Sequence, residues 1–358
     1  MKALKVAWLY PAPKRQSLEA TRQGKEPDHL SAIDAIREFG IEPELVEPLP
    51  WPWNPFCNKH SLYSGIDPLR AVKLAASLSR FDLVLSVGES SGLVLLFLRR
   101  MLGLKIPIVV WDPALGGDWR PREAMLRWAL PRYDRILVVG SNQEALAHER
   151  YPGAAPTSTI GHWEDTQFYR PMPAPAKGYV LSVGLDPMRD YAALVEAARG
   201  MAAPFIIKTN RPMDTDLPPN VRVIRERISY NALRSLYAGA SVVVVPLLDA
   251  HHASGVNGVL EAYAMGKPVI VSDSTGIRDF VIPNETALVV KPGDVAGLRQ
   301  AIASVTASPE LAQRLAVAGR QLVETRFSQA AFASRLAAQL WEVWHARAPK
   351  ESLQCSMP

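Results

Sequence analysis

One stretch constrains the fold of this chain more than any other, because it joins two apolar runs through a polar loop and a helical run. The apolar runs are Ser241 to Pro246 and Pro268 to Ser272, and the helical run between them ends at Gly266. Apolar runs of this kind are typical of strands buried in a parallel sheet. A loop that turns into a helix at the carboxyl edge of such a sheet presents free N–H groups and the positive end of the helix dipole. The stretch therefore predicts an anion site.

Strands and helices alternate along the chain in two series. The first series has strands at Leu4 to Tyr10, Glu44 to Glu47, Leu83 to Val87, Ile106 to Trp111 and Ile136 to Val139, with helices at His29 to Phe39 and Leu69 to Leu78. The second has strands at Tyr179 to Val183, Pro204 to Lys208, Val221 to Arg225, Ser241 to Pro246, Pro268 to Ser272 and Ala287 to Val290, then helices at Asp294 to Ala307, Pro309 to Thr325 and Gln329 to Arg347. Such alternation predicts parallel, doubly wound sheets.

A proline-rich segment with Pro171, Pro173 and Pro175 separates the two series and has the composition of a linker. We therefore predict an α/β protein with two doubly wound, Rossmann-like domains facing across a cleft, since ligands bind at the carboxyl ends of such strands. The predicted domains are 1–165, completed by helix 329–347, and 166–328, followed by a tail at 348–358.

Composition narrows the function classes. The chain has 358 residues, enough for two cores, and its only cysteines, Cys57 and Cys355, offer no metal or disulfide framework. We expect a cytoplasmic protein. The net charge of +5 fits an anionic ligand or peripheral contact with an anionic inner membrane surface, although it is also ordinary composition. No feature predicts a nucleic-acid partner.

The carboxyl-terminal series resembles the family-four, group-one retaining glycosyltransferases, which have the GT-B fold. The matching pieces occur in the family's order over roughly Gly161 to Ala303, and they are Asp165 to Pro171, Tyr179 to Gly184, Arg189 to Tyr191, Val221 to Val223, Val244 to Pro246, Gly258 to Gly276 and Ala287 to Asp294. The resemblance implies transfer of a sugar from a nucleoside-diphosphate donor to a carbohydrate, lipid-linked or small-molecule acceptor. It also implies retention of the anomeric configuration, with no metal and no cofactor beyond the donor itself.

Glu261 is the predicted ribose ligand, because a carboxylate accepts two hydrogen bonds from a vicinal diol. It matches the second Glu of the family's Glu-x7-Glu pattern, whereas the first Glu, which contacts the transferred sugar in the family, is replaced by Ala253. Asp249, His251, His252 or Ser254 of the same loop are candidates to supply the missing polar contact. The other predicted donor-binding residues are Gly184, Arg227, Ser254 and, through their backbone N–H groups, Asn257, Gly258 and Val259.

Asp112, Arg189 and Lys208 are the predicted catalytic residues. The two cations are expected to neutralise the leaving diphosphate, and Asp112 to orient an acceptor hydroxyl or the donor sugar. Each predicted site residue also has a simpler interpretation. Asp112 could be a turn residue before a proline, and Arg189 and Lys208 could be surface cations. Glu261 could be an exposed helix glutamate, and Ser254 or Asn257 a plain N-cap.

Two other functions also remain open. A GT-B relative that binds nucleotide sugars with little or no turnover is compatible with the carboxylate missing at Ala253. A GT-B sugar-nucleotide epimerase would need an acid–base pair beside the sugar ring. A Rossmann dehydrogenase is disfavoured, because no Gly-x-Gly-x-x-Gly follows the first strand, which runs into Pro11 and Pro13.

Overall fold

The computed structural model describes residues 3–28, 30, 32–48, 66–111, 115, 120–173, 178–213 and 216–347. The chain divides into two compact units. The amino unit comprises Met1–Ala20, His29–Gly161 and Phe332–Pro358, and the carboxyl unit comprises Thr21–Asp28 and His162–Ala331. Among the helices of the described residues, none combines the length and hydropathy that crossing a bilayer requires.

Six parallel strands form the sheet of the amino unit. They are β1 (Leu4–Leu9), β2 (Ile41–Leu45), β3 (Leu83–Val87), β4 (Ile108–Trp111), β5 (Arg135–Val138) and β6 (Thr157–Thr159). Their spatial order is β2-β1-β3-β4-β5-β6. The helices are α1 (Arg15–Arg22), α2 (Pro68–Ala75), α3 (Glu89–Leu102), α4 (Arg120–Ala129) and α5 (Ser141–Arg150). The central strands β1, β3, β4 and β5 are mostly apolar and buried, as parallel sheets covered on both faces require, whereas the edge strands β2 and β6 have exposed polar residues.

Two predictions for this unit were wrong in detail. The expected helix from His29 to Phe39 is only a 3₁₀ helix at Ala35–Phe39, because Ala32 has a φ of 54° and a left-handed residue cannot continue a right-handed helix. The expected strand at Glu44 to Glu47 lies earlier, as β2, whose Pro43 is tolerated because β2 is an edge strand. Helix α1 and strand β6 were not predicted.

The carboxyl unit has a second sheet of six parallel strands. They are β7 (Tyr179–Val183), β8 (Phe205–Lys208), β9 (Val221–Ile224), β10 (Ala240–Val245), β11 (Val269–Ser272) and β12 (Ala287–Val290), in the order β12-β11-β10-β7-β8-β9. The helices are α6 (Tyr191–Ala198), α7 (Tyr230–Gly239), α8 (Val256–Ala264), α9 (Val295–Ala307) and α10 (Pro309–Arg326). Side-chain N-caps start four of these helices: Asp190, Ser229, Asp294 and Ser308.

The last helix, α11 (Gln329–Arg347), groups with the amino unit from Phe332 onward. Its buried side chains recur at helical spacing and are Phe332, Ala333, Leu336, Ala337, Leu340 and Val343. Phe332 packs edge to face on Trp111, with 5.6 Å between the ring centroids, and Trp341 Nε1 donates to the carbonyl oxygen of Phe39 at 3.0 Å. The helix is therefore an integral part of the amino unit's core.

We predict that Leu336→Ala lowers the free energy of unfolding by about 2–5 kcal/mol, because it removes a fully buried side chain and leaves a cavity. The matched substitution Leu102→Ala, at a side chain that is 62% exposed, should change it by less than about 0.5 kcal/mol. Urea denaturation measures both variants. Equal stability of the Leu336→Ala variant and the parent would contradict the packing of α11 described above.

Candidate anion and diol site

The strand order of the carboxyl unit reverses between β7 and β10. From β7 the chain proceeds outward through β8 and β9, and from β10 it proceeds in the opposite direction through β11 and β12. Ligands of open parallel sheets bind at the carboxyl end of such a reversal, where the two flanking loops diverge. Here these loops are the β7–α6 loop, which carries Gly184 and Arg189, and the β10–α8 loop, which ends at Gly255. Both predicted segments thus lie at the expected edge.

Helix α8 begins against the sheet. Its N-cap is Gly255, with a φ of 83°, where a Cβ atom would lie 2.9 Å from Val245 Cγ1. Only glycine satisfies both the left-handed backbone and the close approach to β10. The simpler interpretation of Ser254 or Asn257 as the N-cap was therefore wrong. The tight seating of Gly255 fixes the direction in which the first turn of α8 points.

The free N–H groups of this turn are those of Asn257 and Gly258, which form no hydrogen bond with any described residue. The N–H of Val259 donates to the carbonyl oxygen of Gly255 at 3.1 Å. The prediction that Val259 offers its N–H group to a ligand was therefore wrong, because that group closes the first turn of the helix. Two neighbouring amides still make an anion-binding end.

Arg189 is the main cation of the site. It is 8% exposed, and its Nε and Nη1 atoms are buried with no hydrogen-bond partner. A Cβ atom at Gly184 would lie 2.2 Å from Arg189 Nε, and one at Gly258 would lie 3.2 Å from Nη2. The guanidinium therefore fills the space between the end of β7 and the first turn of α8. A buried cation without hydrogen-bond partners is costly, and the arrangement is that of a site which an anion completes.

Lys208 ends β8, next to β7 in the sheet. Its backbone oxygen accepts a hydrogen bond from Gly184 N at 3.1 Å, so the two strand ends are held together. The residue is 9% exposed, and no ion pair of its ammonium is found among the described residues. Lys208 thus adds a second positive charge to the same edge of the sheet as Arg189.

Glu261 lies on α8, beyond the free amides. Its Oε2 atom accepts a hydrogen bond from the Tyr237 hydroxyl at 2.6 Å. Burial raises the pKa of Glu261 to about 7, while the Tyr237 hydrogen bond, the charge of Arg189 and the Tyr169 hydroxyl act in the opposite direction. The residue as a whole is half-buried, and its carboxylate lies beside two phenol groups, those of Tyr237 and Tyr169.

Glu164 is a neighbour of Glu261 that the sequence analysis did not identify as part of the site. It is buried, and its Oε1 atom accepts a hydrogen bond from Asp165 N at 2.8 Å. Burial, followed by the charge of Glu261, raises the pKa of Glu164 well above its usual range. Burial and the charge of Glu261 thus both oppose ionisation of Glu164. The sequence carries no signal for this pair, since 97 positions separate its members.

The remaining predicted residues have different positions. Ser254 is 1% exposed, and its Oγ atom is buried without a hydrogen bond of normal geometry. Arg227 is exposed in the β9–α7 loop and lowers the pKa of Tyr230, which burial raises. His252 faces Asp186, with 3.5 Å between Nε2 and Oδ2. Asp112 lies outside the described residues, so its role stays a prediction.

Similarity to a known family lies in the carboxyl unit. Residues 192–308 match the family described as "Glycosyl transferases group 1". A stretch of 100 residues is 35% identical to glycogen synthase of Mycobacterium tuberculosis (strain CDC 1551 / Oshkosh), covering 28% of this chain. The match spans 23% of the length of that relative.

Solved structures match nearly the whole chain. Sucrose-phosphate synthase from Thermosynechococcus elongatus superposes with a TM-score of 0.73 at 20% identity, covering 96% of this chain and 100% of that one. Anabaena Alr3699/HepE, solved in complex with UDP-glucose, gives a TM-score of 0.67 at 14% identity over 95% and 100% of the two chains. With its two parallel six-stranded sheets, the chain has the GT-B fold.

We predict that Glu261 makes stability depend on pH. Because its folded pKa of about 7 exceeds the ordinary value of 4.5, its contribution is fully present below pH 4.5 and is lost as the pH rises through about 7. Relative to the parent, Glu261→Gln should therefore gain on the order of 2 kcal/mol of stability between pH 5 and pH 8. Urea denaturation across this range measures the difference.

The control is Glu285→Gln, at an exposed side chain of the same unit. This variant makes the same carboxylate-to-amide change at an exposed position, so the pH dependence of Glu261→Gln is measured against it. A pH-independent difference for Glu261→Gln would mean that Glu261 is not desolvated in the folded protein.

Proposed function

The chain carries a group 1 glycosyltransferase domain within a GT-B fold, and from this premise we propose that it moves a sugar from a nucleoside-diphosphate donor to an acceptor hydroxyl group with retention of anomeric configuration. The observation that carries the proposal is the buried Arg189 guanidinium, which lies without hydrogen-bond partners for Nε and Nη1 against the free amides of α8. A diphosphate supplies the acceptor atoms that this cation and these amides lack.

The nucleoside would lie beyond the diphosphate in the direction of the carboxyl-terminal end of α8. Glu261 follows Gly258 by three positions, about 4.5 Å along the helix axis, which is the step from a phosphate to the ribose attached to it. An ionised Glu261 accepts hydrogen bonds from both hydroxyls of a ribose. The phenol of Tyr237 already donates to one oxygen of this carboxylate and would fix its orientation.

The proposed reaction needs charge stabilisation rather than a protein nucleophile. As the bond between the anomeric carbon and the diphosphate oxygen breaks, negative charge grows on the leaving phosphate. Arg189 and Lys208 would stabilise this charge at fixed positions, which lowers the barrier without reorganisation. The acceptor oxygen bonds to the same face of the anomeric carbon, and its proton passes to the leaving phosphate oxygen. Asp112 is the predicted residue for orienting the acceptor.

A second function is favoured by one observation, the absence of a carboxylate at Ala253. Under this alternative, the chain binds nucleotide sugars at the same site but transfers them slowly or not at all. Binding without transfer or hydrolysis would support it, whereas turnover with any acceptor would exclude it.

The epimerase alternative would interconvert donor sugars. Analysis of the products formed from a nucleotide sugar without an acceptor tests it.

We predict that Arg189→Gln weakens binding of the favoured nucleotide among UDP, GDP and ADP by about 100-fold, because charged hydrogen bonds to the diphosphate are lost. Isothermal titration calorimetry measures the affinities. Arg278→Gln is the matched control, since Arg278 is exposed and pairs with Asp273. Unchanged affinity for Arg189→Gln would place the diphosphate elsewhere, and unchanged affinity for Glu261→Ala would refute the ribose contact.

We also predict that the transferred sugar retains its anomeric configuration in the product. UDP-glucose, the molecule bound in the HepE structure, is the first donor to test with a panel of sugar and lipid-linked acceptors. The α-linked donor should give an α-linked product. The coupling constant of the anomeric proton, measured by NMR, distinguishes the α from the β linkage. A β-linked product would contradict front-face transfer while leaving the transferase function intact.

A further inference from the structure

A carboxylate–imidazole pair joins the two loops that carry Arg189 and lead into α8. Asp186 lies three positions before Arg189 in the β7–α6 loop, and its Oδ2 atom is 3.5 Å from Nε2 of His252 in the β10–α8 loop. The side chains are 26% and 43% exposed, so both reach the solvent-facing surface of the site. The two loops that flank the strand reversal each contribute one member of the pair.

Asp186 is held as an anion. Its Oδ1 atom accepts a hydrogen bond from Met188 N at 2.7 Å. Although partial burial opposes ionisation, the contacts with His252, Met188 and the nearby Ser254 hydroxyl bring the pKa of Asp186 to about 2. The carboxylate therefore offers acceptor lone pairs at any physiological pH.

The loop that carries His252 is held in place by the segment that follows β11. Ser274 Oγ accepts from Ala250 N at 3.0 Å, and Thr275 N donates to Asp249 Oδ1 at 2.7 Å. A Cβ atom at Gly276 would lie 2.0 Å from the carbonyl oxygen of His252, so the loop lies directly on the segment after β11. The backbone of this loop is therefore preorganised for ligand binding.

The order of the groups along the site matches the order of the parts of a donor. His252 and Ser254 precede the start of α8 at Val256, and the free amides lie in the first turn of this helix beside Arg189. Glu261 lies about 7.5 Å from Val256 along the helix axis. A nucleotide sugar is linear, with the diphosphate between ribose and sugar. If the ribose is at Glu261 and the diphosphate at Arg189, the sugar points toward the Asp186–His252 pair.

We propose that Asp186 and His252 bind the ring hydroxyl groups of the donor sugar and thereby determine which sugar is accepted. This inference rests on the proposed function. The ligand class is a neutral pyranose with two adjacent free hydroxyls, because the contacts from Met188 N, His252 and Ser254 leave the Asp186 carboxylate able to accept from one hydroxyl while the imidazole bonds its neighbour. The pair supplies the polar contacts that the methyl side chain of Ala253 does not provide.

The test compares each nucleotide sugar with its sugar-free nucleotide. Calorimetry on the full chain uses UDP against UDP-glucose, UDP-galactose and UDP-N-acetylglucosamine, and GDP against GDP-mannose. For the sugar that the parent binds best, Asp186→Asn should weaken binding by about 10- to 100-fold and leave the sugar-free nucleotide within about twofold. His252→Gln should act in the same direction. Asp273→Asn, at an exposed carboxylate paired with Arg278, should change neither.

The outcomes separate the two proposals. If Asp186→Asn and His252→Gln weaken sugar-free nucleotide and nucleotide sugar equally, or weaken neither, the sugar-binding role is overturned while the nucleotide site stands. If the parent binds none of these nucleotides, the proposed function fails and this inference fails with it. Asn at 186 retains an oxygen for Met188 N, and His252→Gln tests the same pair independently of that loop.

Discussion

The Arg189 guanidinium is the interaction on which the geometry of the carboxyl unit's site depends. A buried cation excludes side chains from the positions around it, and both positions that face it, Gly184 and Gly258, have none. Its charge acts on the nearby Glu261, whose pKa it lowers. Under the proposed function, a diphosphate bound beside Arg189 would add hydrogen-bond acceptors for Nε and Nη1, and its binding free energy would appear as added stability of the folded state.

The charges along α8 are coupled. Arg189 lowers the pKa of Glu261 while burial raises it, and the balance lies near neutrality. Burial and then the charge of Glu261 raise the pKa of the neighbouring Glu164 well above its usual range, because two carboxylates in one buried space repel each other when both ionise. The anion site and the carboxylate one turn later are therefore parts of one electrostatic system. A change at Arg189 acts on the ionisation of Glu261 as well as on the bound anion.

The sequence predicted the strands of the carboxyl unit to within about two residues, because each is a short apolar run bounded by polar or glycine residues. It predicted that Arg189, Gly258 and Glu261 belong to one site, and the structure brings them close together. Their roles toward a ligand stay predictions. It did not predict the cap at Gly255 or the use of the Val259 N–H, because both depend on how closely α8 approaches β10. Local propensity contains no information on that distance.

Contacts between distant positions set the limit of sequence analysis here. The pairs Glu164–Glu261 and Asp186–His252 each join loops that only the folded sheet brings together. Their separate origins also have a consequence for function. Glu261, the proposed ribose ligand, is on helix α8, whereas Arg189 shares the β7–α6 loop with Asp186. A substitution at His252, in the β10–α8 loop, can alter contacts with a donor sugar while leaving the β7–α6 loop and Glu261 unchanged, so under the proposed function specificity for the sugar can change separately from affinity for the nucleotide.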